Sequence, residues 1–290
     1  MHLLNLGHMY ESAARFVQAV NGEYADDATA LRPAYVTAIN TIRPSNLPGR
    51  LDGIRVSYED GGWAEHCRVN DVFGHIVGPA TQSDGPTREG WDREINAALN
   101  LISEIHPDLR RLVDLLVTDV VVFNSGVDGG GSANKMPGVV LMSPGPTWTT
   151  LNYAQCLVHE GLHSGLFVLD VVNRMFTLPP LELEKDEYRA LSAVKIGQKR
   201  PLHAAFHAAA VALPLMLMED HQGVDDLVSK YTESLREACE DMQTKREFFT
   251  PYGQLLLDEM TAWAARPPLD FEHLAYSISD PKYAGYTPAA

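Results

Sequence analysis

The sequence predicts an α+β protein, mostly helical, with a small sheet beside a buried helix that carries His-Glu-x-x-His. Three observations predict it. Long stretches repeat apolar residues every three or four positions, as amphipathic helices do, while short runs rich in β-branched residues read as strands. The third is the stretch 155–170, where Leu157, Val158, Leu162, Leu166, Phe167 and Leu169 cover most of a helix and leave a narrow polar stripe.

The elements follow in order. Residues 9–21 and 28–42 have helical spacing in Phe16, Val17, Val20 and Ala34, Ile39, Ile42, and the stretch 43–49, with Pro44, Pro48 and Gly49, ends this pair. Residues 54–58 alternate with period two and predict a strand, with 59–62 as its turn. His66 and His75 fall in an irregular segment and are not read as ligands. Trp91, Ile95, Ala98, Leu99 and Ile102 mark a helix over 87–105, and Pro107 opens another through Leu116. Val120 to Asn124 predicts a buried strand running into a flexible polar loop over 126–132. Residues 137–143 predict the next strand, and Thr149 or Thr150 caps the helix after it.

Further on, the charged run 182–187 reads as a solvated turn or lid. Lys195, Lys199 and Arg200 form a cationic cluster in an acidic chain. Pro201 starts an alanine-rich helix on which His203 and His207 share a face, and two amphipathic helices follow over 223–247 and 251–265. No repeat or long linker divides the chain. The reading is one catalytic domain over 1–276, with an N-terminal helical part to about residue 46, a core over about 118–220, and a flexible tail over 277–290.

Composition narrows the function. The chain has 290 residues, is 45% hydrophobic and 21% charged, and carries a net charge of −15. That charge argues against nucleic acid or an anionic membrane as partner. Cys67, Cys156 and Cys239 fit neither a zinc ribbon nor a disulfide framework, which favours a reducing compartment. The N-terminus lacks the pattern of a signal peptide. The apolar stretch 204–218, interrupted by His207 and Pro214, is short for a membrane span, so the expected location is the cytoplasm.

His159 and His163 lie one helical turn apart with Glu160 beside them, and Asp170 is expected to return to the same face. Unpaired buried polar groups cost about 1–3 kcal/mol each, and a divalent metal would satisfy this stripe. A catalytic site needs a third protein ligand. Leu166 and Leu169 stand where a metzincin needs Gly and His. A glutamate from 182, 184 or 187 would make a gluzincin-like set. His207, on its apolar helix, is favoured, with His203 next. Gly130, Gly131 and Ser132 could approach a ligand backbone, and the strand before the metal helix could hold an extended peptide. Cys156, three residues before His159, reads first as a small core residue.

The runs Gly130-Gly131-Ser132, 137–143 and Leu157-Val158-His159-Glu160-Gly161-Leu162-His163, followed by Arg200-Pro201-Leu202-His203 through His207, resemble the HExxH-motif peptide-modification proteins. These are 2-oxoglutarate-dependent HExxH-type peptide β-hydroxylases acting on ribosomally made precursor peptides. The resemblance covers about residues 118–220. It implies His159, His163 and His207 as Fe(II) ligands, and Arg200, with Lys195, as the cationic side of a 2-oxoglutarate pocket. The chain departs at Ser192-Ala193-Val194-Lys195, where that family is expected to carry Ser-Pro-aromatic-Arg. Under this reading Glu160 orients water or substrate. Under the rival one, a zinc hydrolase, Zn2+ acidifies its water and Glu160 takes the proton as general base. An inactive peptide-binding fold is the third alternative.

Overall fold

A computed structural model of the chain describes residues 1–25, 27–45, 47, 51–266 and 268–283. It is mostly helical with a small mixed sheet, the α+β class expected. Asn46, Pro48 and Gly49 of the predicted helix-ending stretch, and residues 284–290 of the predicted tail, lie outside the described residues. The chain divides into two units, residues 13–167 and residues 1–12 with 168–290, described here in turn.

The first unit holds the sheet. Its helices are α1 (Leu6–Asn21, which begins in the other unit), α2 (Ala28–Ile42), α3 (Gly62–Val69), α4 (Gly74–Val77), α5 (Gly85–Ile105) and α6 (Pro107–Leu116). Local chemistry places their starts. Asp27 Oδ1 accepts hydrogen bonds from the amides of Thr29 and Ala30 at the head of α2, Asp84 does the same for Thr87 in α5, and Pro107 opens α6. His66 and His75, expected in irregular chain, are helical, in α3 and α4.

Strands β1 (Arg55–Tyr58), β2 (Asp119–Val122), β3 (Gly129–Gly131) and β4 (Val139–Ser143) form a sheet in the order β1-β2-β4-β3. β1, β2 and β4 run parallel, and β3 closes one edge antiparallel to β4. β2 and β4 are buried along their whole length, which explains their continuous apolar runs: a parallel strand covered on both faces has no polar side to show. Val121, Val139 and Leu141 pack with Trp63, Phe73 and Val77 of the α3–α4 side. The opposite face meets α7 (Thr150–Asn173), the His-Glu-x-x-His helix, which starts in this unit.

Two expectations change here. The segment 126–132 is not simply a loop, because Gly129–Gly131 form edge strand β3. The strand before the His-Glu-x-x-His helix, β4, expected as the edge or floor of a cleft, is not an edge, because β2 and β3 occupy both its sides. A third feature was not foreseen. Arg43 is 5% exposed and ties α2 to the sheet: its Nη1 donates to Asp119 Oδ2 at 2.9 Å, its Nε and Nη2 to Pro137 O, and its Nη2 to Thr118 Oγ1. The guanidinium also lies 5.0 Å from the Trp63 ring centroid.

The second unit is helical. Its elements are α8 (Pro180–Leu183), the short strands β5 (Ala190–Leu191) and β6 (Lys199–Arg200), α9 (Leu202–Gln222), α10 (Asp226–Gln243), α11 (Pro251–Ala264) and α12 (Phe271–Ser279). α9 is its core helix, contacted by α8, α10, α11 and α12. By length and composition α9 could cross a membrane (21 residues, mean hydropathy 1.4), longer than the stretch read from sequence, yet 83% of that window is buried within the protein. That is the character of a core helix. The start of the predicted tail is ordered by packing: α12 runs through Ser279, and Asn5 Nδ2 donates to the carbonyls of Ser277 and Asp280 at 2.9 Å.

Candidate metal centre

Helix α7 presents the site because its sequence leaves it no other face to hide. Leu157, Val158, Leu162, Leu166 and Leu169 are all buried, as expected. Thr149 precedes the first turn, and the Asn152 side chain accepts from its amide at 2.8 Å, so the threonine is capped instead of capping. Small residues bring the helix close to the sheet. A Cβ on Gly161 would come within 2.9 Å of Val117, and Ser164 Oγ accepts from the Gly138 amide at 3.0 Å.

His159, Glu160 and His163 form a group whose ligand atoms all lie within 4.8 Å of one another. The two imidazoles meet through their Nε2 atoms, 3.2 Å apart, with ring planes at 69°. Two nitrogens held about 2.0–2.1 Å from one divalent ion are about 3.0–3.4 Å apart, so this separation already fits a pair of ligands sharing an ion. Glu160 Oε1 lies 3.8 Å from His159 Nε2, and its other oxygen accepts from Ser132 Oγ at 2.7 Å. The donor set, two imidazoles and a carboxylate, suits a divalent transition metal.

The electrostatics follow from burial. Glu160 is only 7% exposed, and desolvation raises its pKa, opposed by His159 and by the Ser132 hydrogen bond. The Cys156 thiol is pushed well above its ordinary value by desolvation, with the Glu160 carboxylate adding to the effect. Cys156 lies one helical turn before Glu160, so the i, i+4 relation that mattered in the sequence was to the glutamate.

The glycine strand sits directly over this group. A Cβ on Gly130 would fall 2.4 Å from Cys156 Sγ and 3.7 Å from Glu160 Oε1. Gly130 and Ser132 therefore join the site. Gly131 faces the other way, where a Cβ would strike Ile76 at 2.6 Å. Ser132, expected near the substrate, donates its hydroxyl to Glu160. A small cleft, lined among others by Ser132, Asn134, His163 and Phe167, adjoins His163.

Asp170 stands outside the group of three, and its Oδ1 accepts from the Met175 amide at 2.7 Å, at the end of α7. In the helical unit, His207 on α9 is a base whose pKa is lowered to about 3 by desolvation, with the charges of His203 and Arg200 adding to the shift. His203 is shifted down for the same first reason, and its Nδ1 is buried without a hydrogen-bond partner. Of the predicted cationic cluster, Arg200 is half-buried on β6 and its charge reaches both histidines. Lys195 is exposed in the turn between β5 and β6. Among the alternative glutamates, Glu182 pairs with Lys185, while Glu184 and Glu187 are exposed.

No family model matches the chain, and no curated protein matches it.

Proposed function

We propose that this chain is a metal-dependent enzyme that modifies a peptide, and specifically a non-haem Fe(II)- and 2-oxoglutarate-dependent oxygenase hydroxylating a side-chain β-carbon. The observation that carries the metal is the 3.2 Å approach of His159 Nε2 to His163 Nε2 beside a buried carboxylate. The oxygenase reading rests on the resemblance of the motif runs to the peptide β-hydroxylases.

His159 and His163 would hold the ion as neutral imidazoles, and His207 is proposed as the third ligand from its place in the resembling run. Fe(II) bound by three protein ligands supplies the redox chemistry that couples O2 and a chelating 2-oxo acid to C–H hydroxylation, with succinate and carbon dioxide as co-products. Arg200 would pair its planar fork with the distal carboxylate of the oxo acid, aided at longer range by Lys195. Ser132 holds Glu160, so that carboxylate keeps one orientation while it receives or returns a proton of bound water or substrate. Gly130, Gly131 and Ser132 are proposed to line the peptide's path. The partner is a peptide, with a ribosomally made precursor as the proposed class and neither nucleic acid nor membrane involved. The proposed location is the cytoplasm, which suits the free thiols of Cys67, Cys156 and Cys239.

One observation favours a second reading. The desolvated Glu160, with a raised proton affinity beside a metal-ligand histidine, is also what a zinc hydrolase needs in its general base. Purified protein given Fe(II), 2-oxoglutarate, O2 and peptide pools distinguishes the two. Oxo-acid consumption coupled to the gain of one oxygen atom by a peptide supports the oxygenase. Peptide cleavage by the Zn-loaded protein without oxo-acid turnover supports the hydrolase. His207→Ala is expected to lose metal and His203→Ala to keep it, measured by metal content after desalting; the reverse result would reassign the third ligand.

A further inference from the structure

We infer that β3 is the docking edge for the substrate backbone, with Gly130 as the residue that pairs with it. This rests on the peptide-modifying reading above and adds a register to it. Hydrogen-bond parity along β4 sets the side to which each residue of β3 turns its main-chain groups. Phe123 donates its amide to Met142 O at 2.9 Å, and Asp119 donates to Gly138 O at 3.1 Å, so the even-numbered residues of β4 turn their main-chain groups toward β2. Along a strand these groups alternate sides, so Leu141 and Ser143 turn toward β3. Their partners there are Gly131 and Gly129. Gly130, opposite Met142, is left with its N–H and C=O pointing away from the sheet.

Edge donor and acceptor groups of this kind are matched as a pair by another extended backbone. An antiparallel peptide lets one residue exchange both hydrogen bonds with Gly130. Directly opposed residues send their side chains to the same face of a sheet. The face on which Gly130 lacks a Cβ is that of Cys156 and Glu160. The β-carbon of the paired peptide residue is thereby turned toward the His159–Glu160–His163 group, while its two neighbours point to the opposite face, where Ile76 and Val77 of α4 lie against the strand. The site thus selects a residue by register, and it favours apolar side chains on either side of the residue it modifies.

Amide exchange in the full chain labelled with 15N-glycine tests this, using pools of acetylated, amidated decapeptides as the probe. Without peptide, Gly130 is expected to exchange about tenfold or more faster than Gly129 and Gly131. A pool that binds, judged by fluorescence anisotropy, should slow Gly130 by about tenfold and leave its neighbours unchanged. N-methylation at a single position of the bound peptide should abolish the protection. The inference is overturned if Gly130 is as protected as its neighbours in the free chain, if a bound peptide leaves its exchange unchanged, or if no pool binds at millimolar concentration. Protection of Gly130 without any oxo-acid turnover would remove the oxygenase reading alone and leave the docking edge standing.

Discussion

Two polar clusters in the sheet-bearing unit are built in opposite ways. Around Arg43, every arm of the guanidinium ends on an acceptor: Asp119, Asn40, Thr118 or the Pro137 carbonyl. Asp119 is shared with Arg55 at 2.9 Å. A Cβ on Gly138 would come within 3.0 Å of Arg43 Nη2, so only glycine, at φ +77°, fits that turn. Around His163 and His159 the polar atoms converge on each other, nitrogen facing nitrogen, with an acid next to them. The contrast teaches how a charge pair that ties elements together differs from side chains whose ligand atoms converge. The Arg43–Asp119 pair is fully buried and spread over several acceptors, whereas the two imidazoles are half-buried and turn their nitrogens toward one point beside a buried carboxylate.

Four experiments can break or sharpen that contrast. Arg43→Ala leaves Asp119 buried without its main partner and should cost about 3–5 kcal/mol in urea unfolding of the metal-free protein. His159→Ala should cost far less stability and instead remove the metal, so an equal stability loss in the two variants would erase the distinction. Glu160→Gln keeps the shape of the site but removes its base. Turnover should fall about 10²–10⁴-fold with metal content unchanged, and a normal rate would show that the carboxylate serves the fold only. Gly130→Ala drives a methyl into Cys156 and should cost about 1–3 kcal/mol, with Cys156→Ala relieving most of it; the double variant read against each single one gives the coupling. The smallest effect belongs to Ser132→Ala. Losing the clasp on Glu160 should lower turnover by about tenfold with the substrate KM little changed, and Ser132→Thr should restore it.

How much of this could be read beforehand differs by element. The helices announced themselves through spacing, as in the Trp91–Ile102 stripe, and through Pro107 at the next start, whereas the Asp84 and Thr250 caps came with the structure. The strands β2 and β4 were legible as apolar runs. β3 was not, because a glycine triplet has no side-chain pattern and becomes a strand only through its pairing with β4. The His-Glu-x-x-His pair was readable because helical geometry fixes positions four apart whatever the surroundings. The second role of Ser132, 28 residues from Glu160, was not, and neither was the Arg43–Asp119 pair, which spans 76 residues.

By itself, then, the sequence determined the periodic elements, the buried character of the His-Glu-x-x-His helix and the two imidazoles on its surface. These depend on local rules of one chain segment: residue spacing, capping and the cost of exposing apolar area. Tertiary structure decided which strand forms the sheet's edge, which hydroxyl holds Glu160, that Asp170 accepts from the Met175 amide, and which acceptors gather around Arg43. Those outcomes depend on groups brought together from distant parts of the chain, where packing and hydrogen-bond satisfaction, not local spacing, set the partners.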